Sequence, residues 1–588
     1  MGQGAGALNA RRTGAARSRR RALLRRAATM LLAARGQGVG RAPGRISIAA
    51  AAAVATPDTS ATARRADPPH PAAVPPGGFA QTDELAGHRL RDDAPRVRGA
   101  SLAGARRCAV LVVGAGIAGL AAARALRLAG VDDVRVVELA DVAGGNSRAA
   151  TLGGLPCPGG AHYLPLPGEQ APEIAAFLAE IGVRDASGRY DERMLIHSPQ
   201  ERLFIHGVWQ DGLLPTVAQD ANTFSQYRRF ATEIDALRAT GGFAIPSSRA
   251  RPLDALTPLR AVRFDRWLQG RGYTSPGLRW YLDYCCRDEY GDGAQVVSAW
   301  AGLHYFASRH GFVLPPALAA DLAEPADDRD TMLTWPQGNG WLVDRLAAPI
   351  GERLARGRAV HHLWRDPATS RWIAEVVATG DGRRERWAAR RVIWAAPLFV
   401  AARVVDDPGR RTPQLASATA SLQHAPWLVA NVLVDARWKP RGGELAWDNV
   451  FHASASLGYV DARHQRVDRL GGDWLLTWYK ALGTGAGVRA ALASSRYPEI
   501  AREVVDDLSR AHPEIGPMVR RIEIHRWGHA MAVPTPKAMS PAALRARSAL
   551  GVGCDGLWFA HADLAGYSVF EEAFCSGHAA GTAAAASD

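Results

Sequence analysis

The chain has 588 residues, of which 47% are hydrophobic and 22% charged, and its net charge is +14. That length suits two domains, or one domain with large insertions, and outside the N-terminal region no run approaches the roughly twenty apolar residues of a membrane span. Eleven arginines and no acid precede Asp58; removing those eleven charges leaves +3 for the rest, so the body is not notably basic and nucleic-acid binding is excluded.

Residues 1–78 read as a leader and linker rather than as part of the fold. Ser18-Arg19-Arg20-Arg21-Ala22-Leu23-Leu24-Arg25 is similar to a twin-arginine export signal, with its best register at Arg20-Arg21. A modest apolar run, Ile46 to Ala55, ends in Ala53-Val54-Ala55, small residues of the kind found at cleavage sites. Export to the periplasm is one reading; an Arg-rich organellar transit peptide, or an arm on a cytoplasmic protein, is the other. Pro57 to Gly78 carries Pro68, Pro69, Pro71, Pro75 and Pro76 and reads as a linker. Phe79 to Arg107 is a polar lead-in.

The next stretch, Cys108 to Arg148, organises the chain. Ala109 to Val113 is an apolar run of buried-strand length. Gly114, Gly116 and Gly119 follow in G-x-G-x-x-G spacing. Ile117 to Ala129 is a helix closed by Gly130, and Val134 to Val137 a strand ending in Glu138. Gly114 permits a sharp turn, Gly116 lets the backbone approach a pyrophosphate, and Gly119 lets the helix lie close to the sheet. The helix N-terminus, with Ile117 and Ala118, offers free N–H groups to phosphates. Glu138, with Leu139 after it, is placed to accept hydrogen bonds from an adenosine ribose.

After Glu138 come Gly144-Gly145-Asn146-Ser147-Arg148 and then Pro158-Gly159-Gly160-Ala161-His162-Tyr163. This order resembles the flavin amine oxidase superfamily, which includes monoamine and polyamine oxidases, protoporphyrinogen oxidase and phytoene desaturases. The resemblance implies FAD: a Gly-Gly-Arg turn after the ribose acid, then a Gly-Gly segment passing the flavin ring. Asn146 stands where the arginine is usual, and Arg148 lies two residues later.

Pro172 to Ile181 reads as an amphipathic helix, and residues 200–330 as several helical patterns rich in aromatics. Those aromatics either form a helical core or line a substrate cavity. Cys285 and Cys286 are adjacent; they are two buried small residues or a redox pair. No Cys-x-x-Cys is present, and no metal site is expected.

Trp335-Pro336-Gln337-Gly338-Asn339-Gly340 returns the chain to the cofactor domain, followed by a helix from Leu342 to Leu354. Ala359 to Trp364, Trp372 to Ala378 and Trp387 to Pro397 read as a strand, a hairpin turning at Gly380-Asp381-Gly382, and a final strand from Arg391. By resemblance, Val360 meets the adenine end of FAD through its backbone. Trp427 to Leu433 is a strand and Tyr497 to Ser509 an amphipathic helix. Many amine oxidases carry a lysine near flavin N5 on a strand in this region; Trp427-Leu428-Val429-Ala430-Asn431 has none. Asn431, His529 and His304 are polar candidates for catalysis, and Trp527 for a wall of the cavity. Trp558-Phe559-Ala560-His561-Ala562-Asp563 resembles the family's last motif, with Asp563 one position late. Ser568 and Val569 then lead into a helix bearing Ser576-Gly577.

The fold expected is α/β: a Rossmann-like FAD-binding domain of residues 79–170, 335–400 and 546–588, and a discontinuous α+β substrate domain of 171–334 and 401–545. The function expected is hydride transfer from a small organic substrate, such as an amine, to flavin N5, with oxygen or another electron acceptor. A polyene or lipid desaturase or isomerase, or a non-catalytic FAD-bearing protein, is the alternative.

Overall fold

The computed structural model describes residues 74–80, 86–89, 104–197, 199–309, 311–315, 318, 331–406, 412–443, 445–464 and 472–587. The twin-arginine register and the cleavage site read from the sequence lie outside these residues.

The first sheet is built on Arg106–Val113, whose last six residues are buried. A strand covered on both faces reads as a continuous apolar run, and this one does. Leu354–Ala355, Val134–Val137, Arg106–Val113 and Arg384–Trp394 lie side by side and parallel, and Leu557–Phe559 adds to the far side of Arg384–Trp394. Arg384–Trp394 is one continuous strand. Its first half pairs antiparallel with Trp372–Ala378, and its second half enters the parallel sheet. The hairpin strand and the final strand expected from the sequence are therefore a single element.

The helix Ile117–Leu128 covers one face, and the tail helix Phe570–Ala586 packs on it so closely that a Cβ at Gly577 would lie 2.0 Å from the Ala118 carbonyl oxygen. Chain segments some 450 residues apart thus close on the first glycine turn. The helix expected over Leu342 to Leu354 is α-helical only from Gly340 to Ala347. A 3₁₀ segment, Ala348–Arg353, follows, because Pro349 supplies no N–H to continue the α-helical ladder.

The second sheet has eight strands in the order Gly77–Phe79, Val519–Ala532, His424–Val434, Trp474–Ala481, Gly458–Asp461, Asp448–Phe451, Glu201–Ile205, Val208–Asp211. Helices Ala221–Arg238, Pro276–Tyr290 and Ala299–Ala307 pack beside it around a core rich in aromatics, including Tyr227, Phe230, Trp300 and Phe306. Two features differ from the sequence reading. The region 200–330 opens with a hairpin that joins the large sheet, and the leader expected to run to residue 78 ends inside a paired strand. Gly77–Phe79 runs parallel to Ile522–Ile524, an edge register that Gly-rich sequence disguises. Among the described residues no helix is long and apolar enough to cross a membrane.

Candidate cofactor and substrate site

The glycine turn is shaped for something other than protein. Gly114 has φ +100°, a conformation side chains disfavour, and a Cβ on Gly119 would lie 1.9 Å from the Gly114 oxygen. Gly116 is different: a Cβ there would meet nothing within 4 Å. Gly116 is the N-cap of Ile117–Leu128, and no side chain caps that helix. Its first turn contains no acid, so its N–H groups and positive dipole end face open room. Glu138 is pinned beside it, accepting the N–H of Ala115 at 2.6 Å and of Ala140 at 2.9 Å. Leu139 follows at the strand end, and Arg358 donates its N–H to the Glu138 carbonyl at 2.7 Å. That contact brings the strand Arg358–Arg365, with Val360 buried in it, to the same edge. A free helix N-terminus, an unfilled position at Gly116 and a fixed acid fit the pyrophosphate and ribose of a dinucleotide.

Gly144 and Gly145 come up against the turn. Gly144 donates its N–H to the Ala115 oxygen at 2.8 Å, and a Cβ on Gly145 would lie 3.6 Å from Gly116 Cα. Ser147 is buried behind them. The Asn146 side chain, standing where the family has arginine, donates to the Ala530 carbonyl. Arg148 donates to the Gly145 carbonyl at 3.3 Å and lies 4.7 Å over the Trp527 ring. Both polar side chains of this turn thus tie it to its neighbours.

The next glycines are held by the substrate sheet. Three consecutive carbonyls each accept from a different side chain of that sheet. Pro158 accepts from Asn431 Nδ2 at 2.9 Å, Gly159 from Trp527 Nε1 at 2.9 Å, and Gly160 from the Tyr479 hydroxyl at 3.3 Å. Asn431 is fully buried, and its Oδ1 accepts from Thr477 at 2.8 Å. Both ends of its amide are engaged, one on the Gly-Gly strip and one on the neighbouring strand. Trp527 likewise spends its indole N–H on that strip. The tail loop is tied in the same way: the Ser568 hydroxyl accepts the Ala532 N–H at 2.9 Å, and Val569 is the N-cap of the tail helix.

His529, a polar candidate from the sequence, lies in a β-bulge of its strand. Trp427 pairs with Trp527 and Ala425 with Met531, so three residues, 528–530, oppose one. His529 is exposed, 4.7 Å from the Phe399 ring. His304 is fully buried with Nε2 3.0 Å from the Ala244 carbonyl and its ring 4.4 Å from Trp300, inside the helical core.

Beyond Gly160 lies an aromatic chamber. His162 stacks on Tyr479 at 4.3 Å and lies 5.4 Å from Trp447; Tyr163 meets Trp447 edge-on at 5.8 Å. Burial pushes the His162 imidazole down to about 3, so it is neutral. Ala161 is exposed and His162 and Tyr163 are half-buried, the partial exposure that the rim of a cavity would give. Asp288 shares this property, and its Oδ2 lies 3.5 Å from the Tyr163 hydroxyl. Burial, then the neighbouring Glu289, push Asp288 up to about 7. Asp448 is raised well above the carboxylate range by burial, then by Asp288 and Glu201. These acids were missed in the sequence because nothing local marks them; Asp288 reaches Tyr163 across 125 residues. Cys285 and Cys286 are buried free thiols on the same helix, raised well above the usual range chiefly by burial. Among the described residues no group of histidines, cysteines and acids could hold a metal ion.

Comparison with known proteins accords with this geometry. No curated protein sequence matches the chain. Among solved structures, wild-type putrescine oxidase bound to putrescine is 20% identical, with a TM-score of 0.59, over 80% of this chain and 97% of that one. Cyclohexylamine oxidase from Brevibacterium oxydans IH-35A is 18% identical, with a TM-score of 0.58, over 81% and 98%. A CLA-producing fatty acid isomerase from P. acnes is 14% identical, with a TM-score of 0.54, over 80% and 97%. The family model of flavin-containing amine oxidoreductases matches residues 117–585, and the chain belongs to that family as an FAD-dependent oxidoreductase.

Proposed function

We propose that this oxidoreductase oxidises an amine, which Asp288 holds in the chamber walled by His162, Tyr163, Trp447 and Tyr479. The observation that carries the reading is the Asp288 carboxylate, deep in the protein yet accessible, beside aromatic rings. Ring faces attract a cation, and a carboxylate completes the recognition of an ammonium group. FAD, when bound, supplies a two-electron acceptor for the hydride of a C–H next to nitrogen. That hydride becomes available only when the nitrogen has lost its extra proton. Asp288, pushed up to about 7, is poised to take it near neutrality. Tyr163 fixes the carboxyl, and neutral His162 supplies a ring face without a competing charge. The Gly159-Gly160 strip is held rigid by Asn431, Trp527 and Tyr479, and the fixed strip in turn sets where the chamber wall stands.

A fatty-acid substrate would bring a second carboxylate against Asp288, which carries part of a negative charge near neutrality, and this disfavours the desaturase and isomerase readings. The test is anaerobic bleaching of the bound flavin by primary amines against a polyunsaturated fatty acid. Amines should bleach it, and Asp288→Asn should slow bleaching about a hundredfold, a typical general-base loss. Bleaching by the fatty acid alone would overturn the reading.

The residues proposed to hold FAD are those of the glycine turn and Glu138, the Gly144–Ser147 turn, the strip Gly160–Tyr163, Val360, and the tail loop Asp563, Ser568 and Val569. The division into a cofactor domain and a substrate domain is likewise proposed; the membership of the two sheets supports it. For the leader we propose twin-arginine export, supported by Arg20-Arg21 ahead of an apolar run. Arg20→Lys with Arg21→Lys should retain the protein in the cytoplasm, and unaltered accumulation outside would sink the proposal.

A further inference from the structure

We propose a second ligand site, for a small aromatic oxyanion (a ring bearing a carboxylate or a phosphate monoester), in a pocket of about 480 Å³ beside the cofactor unit. The pocket lies between the helix Leu398–Val404, the start of the strand His424–Val434 and the bulge at residues 528–530. It contains none of the residues of the glycine turn or of the chamber around Tyr163.

Its lining carries two arginines, Arg403 and Arg489, and two histidines, His424 and His529, with no acid. Elsewhere on this surface arginines typically find carboxylates: Arg193 meets Asp191, and Arg437 and Arg520 share Asp435. Arg403 meets no carboxylate among the described residues, and the contact of Arg489 is with a carbonyl, that of His424 at 3.3 Å. His529, whose imidazole edge faces this lining while its ring lies against Phe399, is held down to about 4, first by the protein packed around it and then by Arg489 and its neighbours. A solvated basic face would need no wall. This one has a flat aromatic wall, Phe399 and His529 with ring centroids 4.7 Å apart and planes 32° from parallel. Two guanidinium groups for an oxyanion and a ring surface for the group that carries it define the ligand class.

The pocket is wired to the cofactor loop. His424 Nε2 meets Asp563 Oδ1 at 2.9 Å, and Asp563 Oδ2 accepts the Leu398 N–H at 2.9 Å. Asp563 is fully buried; burial would raise it, but His561 and His424 hold it well below the usual range, so it stays a carboxylate. One acid thus orients a pocket histidine and anchors the helix carrying Phe399 and Arg403. A ligand pressing on either is felt at Asp563, in the loop before Ser568 and Val569.

The experiment titrates the flavin-loaded full chain with benzoate, phenyl phosphate, inorganic phosphate and phenol, by calorimetry and by flavin difference absorbance. Expected is saturable binding of benzoate or phenyl phosphate with a Kd below about 1 mM, at least tenfold tighter than phenol or inorganic phosphate, with a flavin spectral shift. The two oxyanion arms decide between carboxylate and phosphate. Arg403→Ala with Arg489→Ala should weaken that binding about tenfold or more, while flavin occupancy and anaerobic bleaching by amine stay unchanged. Both arginines are exposed, so the variant is expected to fold. Absence of saturation by either ring oxyanion, or equal affinity in the double variant, would overturn the site and leave the amine reading untouched.

Discussion

Around the helix Ile117–Leu128 the residues that shape the site are Gly116, Gly119 and Gly577, and the groups that face outward are backbone amides. Around Tyr163 the shaping residues are His162, Trp447 and Tyr479, and the polar group is the side chain of Asp288. The glycine turn makes its room by omitting side chains, and the proposed chamber is walled by crowding them. A diphosphate is recognised through main-chain N–H groups, which every residue has, so specificity there comes from letting the backbone approach. A small organic substrate is recognised through side chains, so specificity comes from which ones are present.

Two valine substitutions would break this contrast if it is wrong. At Gly119 a side chain collides with the Gly114 carbonyl, so Gly119→Val should destabilise the apoprotein by about 3 kcal/mol, the upper end of ordinary overpacking. At Gly116 a Cβ has room and φ is −72°. Gly116→Val should therefore keep apoprotein stability within about 1 kcal/mol, as an N-cap change does, while FAD affinity falls at least about a hundredfold. Denaturant unfolding without flavin, alongside flavin titration, separates the two. Equal destabilisation by both would mean that Gly116 serves packing as well.

The same contrast explains what the sequence disclosed. The strand, turn, helix and acid from Ala109 to Glu138 are contiguous, and each glycine there answers to a local steric demand, so spacing alone located them. The strands after residue 357 were legible because each alternates or runs apolar, and only their fusion into Arg384–Trp394 escaped, since one strand there serves two pairings. The chamber was not legible. Tyr163, Asp288, Trp447 and Tyr479 come from four distant segments, and an acid on an aromatic-rich helix looks the same whether it faces solvent or a cavity. Asn431 and His529 show a subtler limit. Their strands were expected or adjacent to expected ones, yet the direction of each side chain was decided by pairing and by a bulge that no spacing rule foretells.

The junction between the halves supplies the next test. Asn431→Ala leaves the Pro158 carbonyl and the Thr477 hydroxyl without their buried partner, at a cost of about 2–3 kcal/mol. Because the strip is shared, the loss should appear in both halves: a lower unfolding midpoint, and weaker retention of flavin on gel filtration. A stability loss with full flavin retention would show the strip to be held by Trp527 and Tyr479 alone.

Asp288 sharpens the comparison through pH. Its ordinary value is 3.8 and the fold raises it to about 7, so the folded protein holds a proton there that the unfolded chain releases. The associated stability is fully present below about pH 4 and is lost as pH rises through about 7, worth about 2 kcal/mol after discounting for the accessible edge of the carboxyl. Asp288→Asn cannot lose that proton. The difference in unfolding free energy between variant and wild type should therefore grow in the variant's favour from pH 4 to pH 7.5. A pH-independent difference would place Asp288 in open solvent and remove the chamber's polar anchor.

The smallest effect concerns the edge of the substrate sheet. Gly77–Phe79 is paired to Ile522–Ile524, the Tyr497 hydroxyl donates to the Pro75 carbonyl at 2.8 Å, and Arg526 lies 4.0 Å over the Phe79 ring. This strand blunts an exposed edge that would otherwise present unpaired N–H and C=O groups. Tyr497→Phe removes one hydrogen bond at a half-buried site and should cost about 1 kcal/mol. Since Gly77–Phe79 is the edge strand of the eight-stranded sheet and not of the sheet that carries the glycine turn, flavin affinity should not move. Removal of residues 75–80 should cost more and bring concentration-dependent association, read by light scattering, because the bare edge of Val519–Ala532 becomes available to another chain. If truncation there changes neither stability nor association, the strand is an ornament on the sheet.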